Sequence, residues 1–144
     1  RNGIAVRFNE NDVRATGRSS KGVKGIRLSE NDQVIGMVVA TDEKTLLTVT
    51  ENGYGKRTKI SEYRVISRGG SGVRNIVCSE RNGKVVSINS VSSENQIMMI
   101  TQKGITIRMP VSQISVIGRA TQGVRLIKLH ENDHLLSVAK IVKE

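Results

Sequence analysis

The sequence predicts an all-β, propeller-like fold of about three four-stranded blades that belong to a larger disc. Two observations carry that prediction: a pattern that returns at intervals of 50 and 51 residues, and short runs rich in Val, Ile and Thr broken by Gly, Asn, Asp and Ser. A third supports it: no segment keeps an amphipathic helical period over about 11 residues.

The repeat is read from its arginines. Gly17-Arg18-Ser19-Ser20-Lys21-Gly22-Val23 returns as Ser67-Arg68-Gly69-Gly70-Ser71-Gly72-Val73, and again as Gly118-Arg119-Ala120-Thr121-Gln122-Gly123-Val124. The match holds in register on both sides. Arg7, Arg57 and Arg108 correspond, as do Lys24, Arg74 and Arg125, and so do Ile26, Ile76 and Ile127. The units are 1–50, 51–101 and 102–144. In the first, strands are expected over 4–8, 22–28, 33–40 and 45–50, because β-branched residues fit a pleated surface. Asn2-Gly3, Asn52-Gly53 and Asn82-Gly83 supply turns that tolerate positive φ. Pro110 ends a strand, where its missing donor costs little. The third unit closes on a strand over 134–142 and has no partner for 45–50 and 96–101. Propellers close with roughly four to eight blades. Half of a disc, with open flanks, is therefore expected. The chain starts at Arg1 rather than Met, which suggests a piece of something longer.

Charge narrows the function. The 23 Lys and Arg against 13 Asp and Glu give a formal net charge of +10. A polyanion, most often nucleic acid, is the expected partner. Aromatics are 2% of the chain, namely Phe8, Tyr54 and Tyr63. That is too few for a single-strand binder, which stacks bases on aromatic platforms. Duplex backbone fits better, because cations and amides suffice to hold it. The cations are also segregated. Residues 13–29 and 103–128 carry no acid, and 56–74 carry Glu62 alone. On radially arranged blades such segments form one stripe around the perimeter.

The stretch Ser67–Val73 is read as a turn and as a phosphate site. Gly69, Gly70 and Gly72 admit close approach of a phosphate to backbone N–H groups, and Arg68 supplies a fork of donors. The expected DNA contacts are Arg7, Arg18, Lys21, Lys24, Lys56, Arg57, Arg68, Gly69, Gly70, Arg74, Arg108, Arg119 and Arg125. No catalytic residue or metal ligand is expected. His130 and His134 flank a turn rather than share a helical face, and Cys78, the one cysteine, reads as a small core residue. Gly55-Lys56-Arg57-Thr58 lacks the spacing of a nucleotide-binding P-loop. No apolar run approaches the roughly 20 residues that span a bilayer.

The Gly-Arg-x-x-x-Gly-Val core resembles the C-terminal domain of the DNA gyrase A protein. So do Asn52-Gly53-Tyr54-Gly55-Lys56-Arg57-Thr58 and Gln96-Ile97-Met98-Met99-Ile100-Thr101. The resemblance covers nearly the whole chain and implies the last three blades of a β-pinwheel whose blades exchange strands and whose basic rim wraps DNA. That family's seven-residue box, Gln-Arg-Arg-Gly-Gly-Lys-Gly, is not assigned here: Ile66 and Ser67 stand at its first two places and Ser71 replaces its lysine. Neither Tyr54 nor Tyr63 matches the family's DNA-cleaving tyrosine, which follows an arginine in another domain. The resemblance further implies double-stranded DNA, the rest of the gyrase A protein and the gyrase B protein as partners. ATP and Mg are expected only in other parts of the holoenzyme, in a cytoplasmic, nucleoid-associated setting. The related topoisomerase IV domain and a propeller-like protein-interaction platform remain as alternatives.

Overall fold

The computed structural model describes residues 1–141. Its strands are β1 (Ile4–Ala5), β2 (Thr45–Thr50), β3 (Tyr54–Lys59), β4 (Val73–Arg74), β5 (Val85–Val91), β6 (Gln96–Thr101), β7 (Thr106–Pro110), β8 (Val124–Arg125) and β9 (Leu135–Ile141). The helical elements among the described residues are single 3-10 turns at Glu10–Asp12, Ile60–Glu62 and Val111–Gln113, which keep the 50/51 period. Pro110 ends β7 and caps the last of these turns.

The strands form three antiparallel sheets, ordered β1-β4, β5-β2-β3-β8 and β7-β6-β9. Sheets are assembled across repeats. The strand β2, from the first unit, hairpins onto β3 of the second through Asn52-Gly53, with Gly53 at φ +85. The outer strand of each of two sheets is lent by the following repeat: β4 pairs with β1, and β8 pairs with β3.

Four strands are therefore not present in every sheet. The segments 22–28 and 33–40 are not strands. Their counterparts show why, since a strand exists only where a ladder partner satisfies its backbone. The pair β4 and β8 lie on strands of the preceding repeat, and β5 and β9 lie on β2 and β6. For 22–28 and 33–40 this sequence contains no such partner. Met37 and Val39 consequently remain 88% and 83% exposed. Val142, the last residue of the strand expected over 134–142, lies outside the described residues.

The core sits between the second and third sheets. Leu47, Val49, Val91, Ile97, Met99, Val111, Ile114, Leu135 and Val138 form one buried cluster. Leu46, on the opposite face of β2, packs with Ile60 and Tyr63 in a second. The strand β2 is buried along its whole length because it is covered on both faces.

Consecutive repeats meet at one recurring seam. Arg7 bridges Val65 and Arg57 bridges Val116, both in parallel. The N–H groups of Ile66 and Ile117 donate to the Arg7 and Arg57 carbonyls, each at 2.8 Å. The same two positions of the period therefore meet at both junctions.

Candidate nucleic-acid interface

The exchanged strands present the clearest row of cations. Register places Arg74 opposite Ile4 and Arg125 opposite Tyr54. With Lys24 they occupy one equivalent position in each repeat, and all three are exposed. Arg18 and Lys21 are exposed as well, on the turn that precedes Lys24. The ion pairs among the described residues join the amino terminus to Asp32 and Arg7 to Asp42, so this row carries no carboxylate partner.

Arg68 and Arg119 do a second job. Arg68 donates through Nη1 to the Lys24 carbonyl at 3.1 Å and through Nε to the Asp12 carbonyl at 2.8 Å. Arg119 donates to the Arg74 carbonyl at 3.2 Å. Each arginine thus ties its turn to the cation row of the preceding repeat. The backbone does the same. Gly69 N–H donates to the Gly25 carbonyl at 2.6 Å, and Arg27 N–H donates to the Gly70 carbonyl at 2.8 Å. Ala120 and Val77 repeat both bonds with Asn75 and Thr121. The amide of Gly69 is therefore committed to the seam instead of being free to cradle a phosphate. Its glycine serves a positive φ of 80, which Ala120 also adopts at φ 58.

The arginines at the 7/57/108 position have three different fates. Arg7 holds the Ile60 and Tyr63 carbonyls at 3.1 Å each and pairs with Asp42 at 3.0 Å. Arg57 is buried, donating to Thr45 Oγ1 and Ser93 Oγ, and burial holds its guanidinium below its usual range. Arg108 is exposed and donates to Gln96 Oε1. Lys56 is the largest departure from the expected contact set. It is fully buried, and its Nζ donates to the Asn75 carbonyl (2.6 Å), the Gly118 carbonyl (2.8 Å) and Thr121 Oγ1 (3.1 Å). Burial brings its pKa down to about 8. Both are thus interior ties: Lys56 joins the second repeat to the third, and the Arg57 side chain joins it to the first. Their place in a Gly-Lys-Arg-Thr run resembles a surface basic cluster, and sequence alone offers no contrary signal.

Sequence reasoning passed over Arg81. It stands in a tight turn whose Asn82 is fully buried, and its Nε donates to Tyr54 Oη at 3.1 Å. The available signal was a break in the repeat, since Asn31 and Asn132 occupy the equivalent position. Tyr63 is buried beneath the first seam and donates its hydroxyl to Asn75 Oδ1. Burial pushes its phenol up to about 12. Cys78 is half-buried rather than in the core, and burial raises its thiol. The described residues contain no cluster of three or more His, Cys, Asp or Glu side chains placed to hold a metal ion. No helix among them is long and apolar enough to cross a membrane.

Comparison with known proteins gives one consistent family. The family described as "DNA gyrase C-terminal domain, beta-propeller" matches residues 1–41, 44–92 and 95–141. The chain is 48% identical over 141 residues to the DNA gyrase A protein of Staphylococcus epidermidis, covering 96% of the chain and 16% of that protein. The chain thus spans about one sixth of the length of the curated relatives it matches. A solved DNA gyrase A C-terminal domain superposes with a TM-score of 0.88 at 34% identity, over 98% of this chain and 48% of that one. The C-terminal domain of DNA topoisomerase IV superposes with a TM-score of 0.89 at 25% identity, over 97% and 44%.

Proposed function

Because the chain belongs to the DNA gyrase C-terminal domain family of β-propellers, we propose that it binds duplex DNA without regard to sequence and bends it along its basic rim. In this reading it is three blades of a larger disc, in a gyrase-type topoisomerase whose ATP-dependent strand passage is carried out elsewhere in the protein. The rest of the gyrase A protein and the gyrase B protein are its partners there. The observation that carries the reading is the row Lys24, Arg74 and Arg125, exposed and without carboxylate partners, recurring once per repeat beside Arg18 and Lys21. Arg68 and Arg119 hold the backbone of that row in place and offer their remaining N–H donors to the same strand of phosphates. The higher identity to gyrase A than to the topoisomerase IV domain favours gyrase as the parent.

Two outcomes follow. Arg74→Gln is expected to weaken binding about equally on unrelated duplexes and to reduce the slope of log K against log salt by about 1, as loss of one phosphate contact requires. Arg74 is exposed, and its side chain makes no hydrogen bond among the described residues, so folding is spared. Binding should also grow with duplex length. Bending 20–30 base pairs by 40–90° costs on the order of 1–6 kcal/mol, and only contacts on a second and third repeat offset it. Dyes on the two ends of a duplex of about 40 base pairs should approach on binding. Ends that stay as far apart as in free DNA, with affinity independent of length, would show a binder that does not wrap.

A further inference from the structure

Tyr54 has an unusual setting. It lies on β3 directly opposite Arg125 of the exchanged strand β8, and its hydroxyl oxygen accepts from Arg125 Nη2 and from Arg81 Nε, each at 3.1 Å. The two guanidinium carbons lie 5.2 and 5.5 Å from the centroid of its ring. Two positive charges from different repeats are thus held against one phenol, where they repel each other. Neither arginine is in an ion pair among the described residues.

The arrangement is rigid. Asn82 locks the turn that carries Arg81, accepting from Ser79 and donating to the Val77 and Gln122 carbonyls. Asn52 Nδ2 holds the Glu80 and Arg81 carbonyls from the other side. Each guanidinium spends one N–H on Tyr54, which leaves the two Nη groups of Arg81 and the Nε and Nη1 of Arg125 without protein acceptors among the described residues. These donors border an open cleft of about 330 Å³ that Lys128 also lines. The acid in its wall, Asp133, is buried; its Oδ1 accepts from the N–H groups of Lys103 and His134, and its Oδ2 has no hydrogen-bond partner among the described residues. Hydrogen bonds from Arg81 and then Arg125 lower the Tyr54 phenol, as a positive surrounding requires.

The geometry points to an oxyanion clamp in which Arg81 and Arg125, braced on Tyr54, grip one phosphodiester of the bound duplex at the junction of the second and third repeats. This rests on the duplex-binding reading above. The open side of the cleft suits a polymer passing across it, and Arg125 is already a member of the row Lys24, Arg74 and Arg125. Arg forks match the two free oxygens of a phosphodiester. The clamp is not repeated: Ile4 and Ile105 replace Tyr54, and Asn31 and Asn132 replace Arg81. It would therefore fix where the curved duplex sits relative to one seam, on a rim that is otherwise periodic.

The chain has two tyrosines, both buried, so labelling tyrosine rings with carbon-13 reports Tyr54 beside the arginines and Tyr63 at the first seam separately. On the full chain, a duplex of about 40 base pairs should shift the Tyr54 signal and leave Tyr63 in place. Arg81→Gln and Arg125→Gln should each lower affinity about tenfold near 0.1 M salt and flatten the salt slope by about 1. Tyr54→Phe should lower it about threefold with the slope unchanged. Inorganic phosphate at the same ionic strength should move Tyr54 only weakly. If the duplex binds while Tyr54 stays still and Arg81→Gln binds as wild type, the clamp is overturned and the rim reading survives. If phosphate saturates the Tyr54 shift and the duplex produces none, the site takes small anions and the assignment to DNA is wrong. If the chain binds no duplex at all, the rim reading itself fails and the clamp falls with it.

Discussion

Replacing Lys56 with alanine is expected to lower the unfolding free energy by about 4 kcal/mol, which for a chain of this size is roughly 10 °C in melting temperature. The four-carbon stem is fully buried, and its ammonium is the donor shared by the Asn75 carbonyl, the Gly118 carbonyl and Thr121 Oγ1. Alanine leaves a cavity at the seam and strips three acceptors of that donor. Lys56→Met keeps the stem and removes the charge, so its cost should be much smaller. The two variants together separate lost packing from lost hydrogen bonds, and an alanine variant that melts with the wild type would rule out Lys56 as a tie.

The same lysine makes stability depend on pH, with a definite sign. Its proton leaves near pH 8 in the folded chain and near its ordinary 10.5 in the unfolded one. Between those values the unfolded state binds more protons, so stability rises with pH, by at most about 1.4 kcal/mol per unit. The penalty of burying the charge is fully present below pH 8. Tyr63 acts in the opposite direction at higher pH. Its folded pKa of about 12 lies above the ordinary 10, so stability falls as pH climbs past 10. Denaturation midpoints should therefore rise from pH 8 to a maximum near 10 and then decline. In Lys56→Met the rising limb should be flat.

Gly123→Val is expected to cost about 4 kcal/mol and to release the exchanged strand β8. Gly123 has φ +76, and a Cβ there would lie 2.8 Å from the Gly55 carbonyl oxygen. Valine meets that contact and is β-branched in a left-handed conformation as well. Amide exchange at Leu126, whose N–H donates to the Gly53 carbonyl at 2.8 Å, should accelerate about a hundredfold. A built-in control separates the two costs. Gly22 has φ +79 and open space within 4 Å of where a Cβ would sit, whereas a Cβ on Gly72 would lie 2.5 Å from the Ala5 carbonyl oxygen. Gly22→Ala should cost about 1 kcal/mol, the conformational part alone. Gly72→Ala should cost about 3 kcal/mol. Equal losses at the two positions would mean that the close approach of the strands contributes nothing.

These glycines show what can be read from the chain. The Gly-Val pair recurs because a two-residue strand must cross to its neighbour at close range, a local requirement written in local sequence. The hairpin at Asn52-Gly53 and the strand end at Pro110 are legible for the same reason. The 7/57/108 arginines are a different case. They align in register, yet Arg7 clasps the Ile60–Glu62 turn, Arg57 is buried and Arg108 is exposed. Recurrence fixes a position in the fold and not the environment of the side chain there. Lys56 was misleading because a buried lysine and a rim lysine look alike in a basic run. The Arg81–Tyr54–Arg125 cluster was beyond reach as a cluster: the break in the repeat marks Arg81, but Arg125 joins Tyr54 only through the strand exchange.

The strand exchange also bears on how such a molecule can change its number of repeats. Since every sheet among the described residues draws strands from more than one repeat, the joint between neighbours is part of the period itself. Duplicating or deleting any in-frame window of about 50 residues would regenerate the same joint, whatever the starting point of the window, so no new interface has to be invented. Individuality must come afterwards, by substitution at single joints: Lys56 where Val6 and Ile107 stand, Tyr54 and Arg81 where isoleucine and asparagine stand. A uniform array would let a polymer slide by one repeat at no cost in energy, and the proposed Arg81–Tyr54–Arg125 clamp would remove that equivalence at one joint.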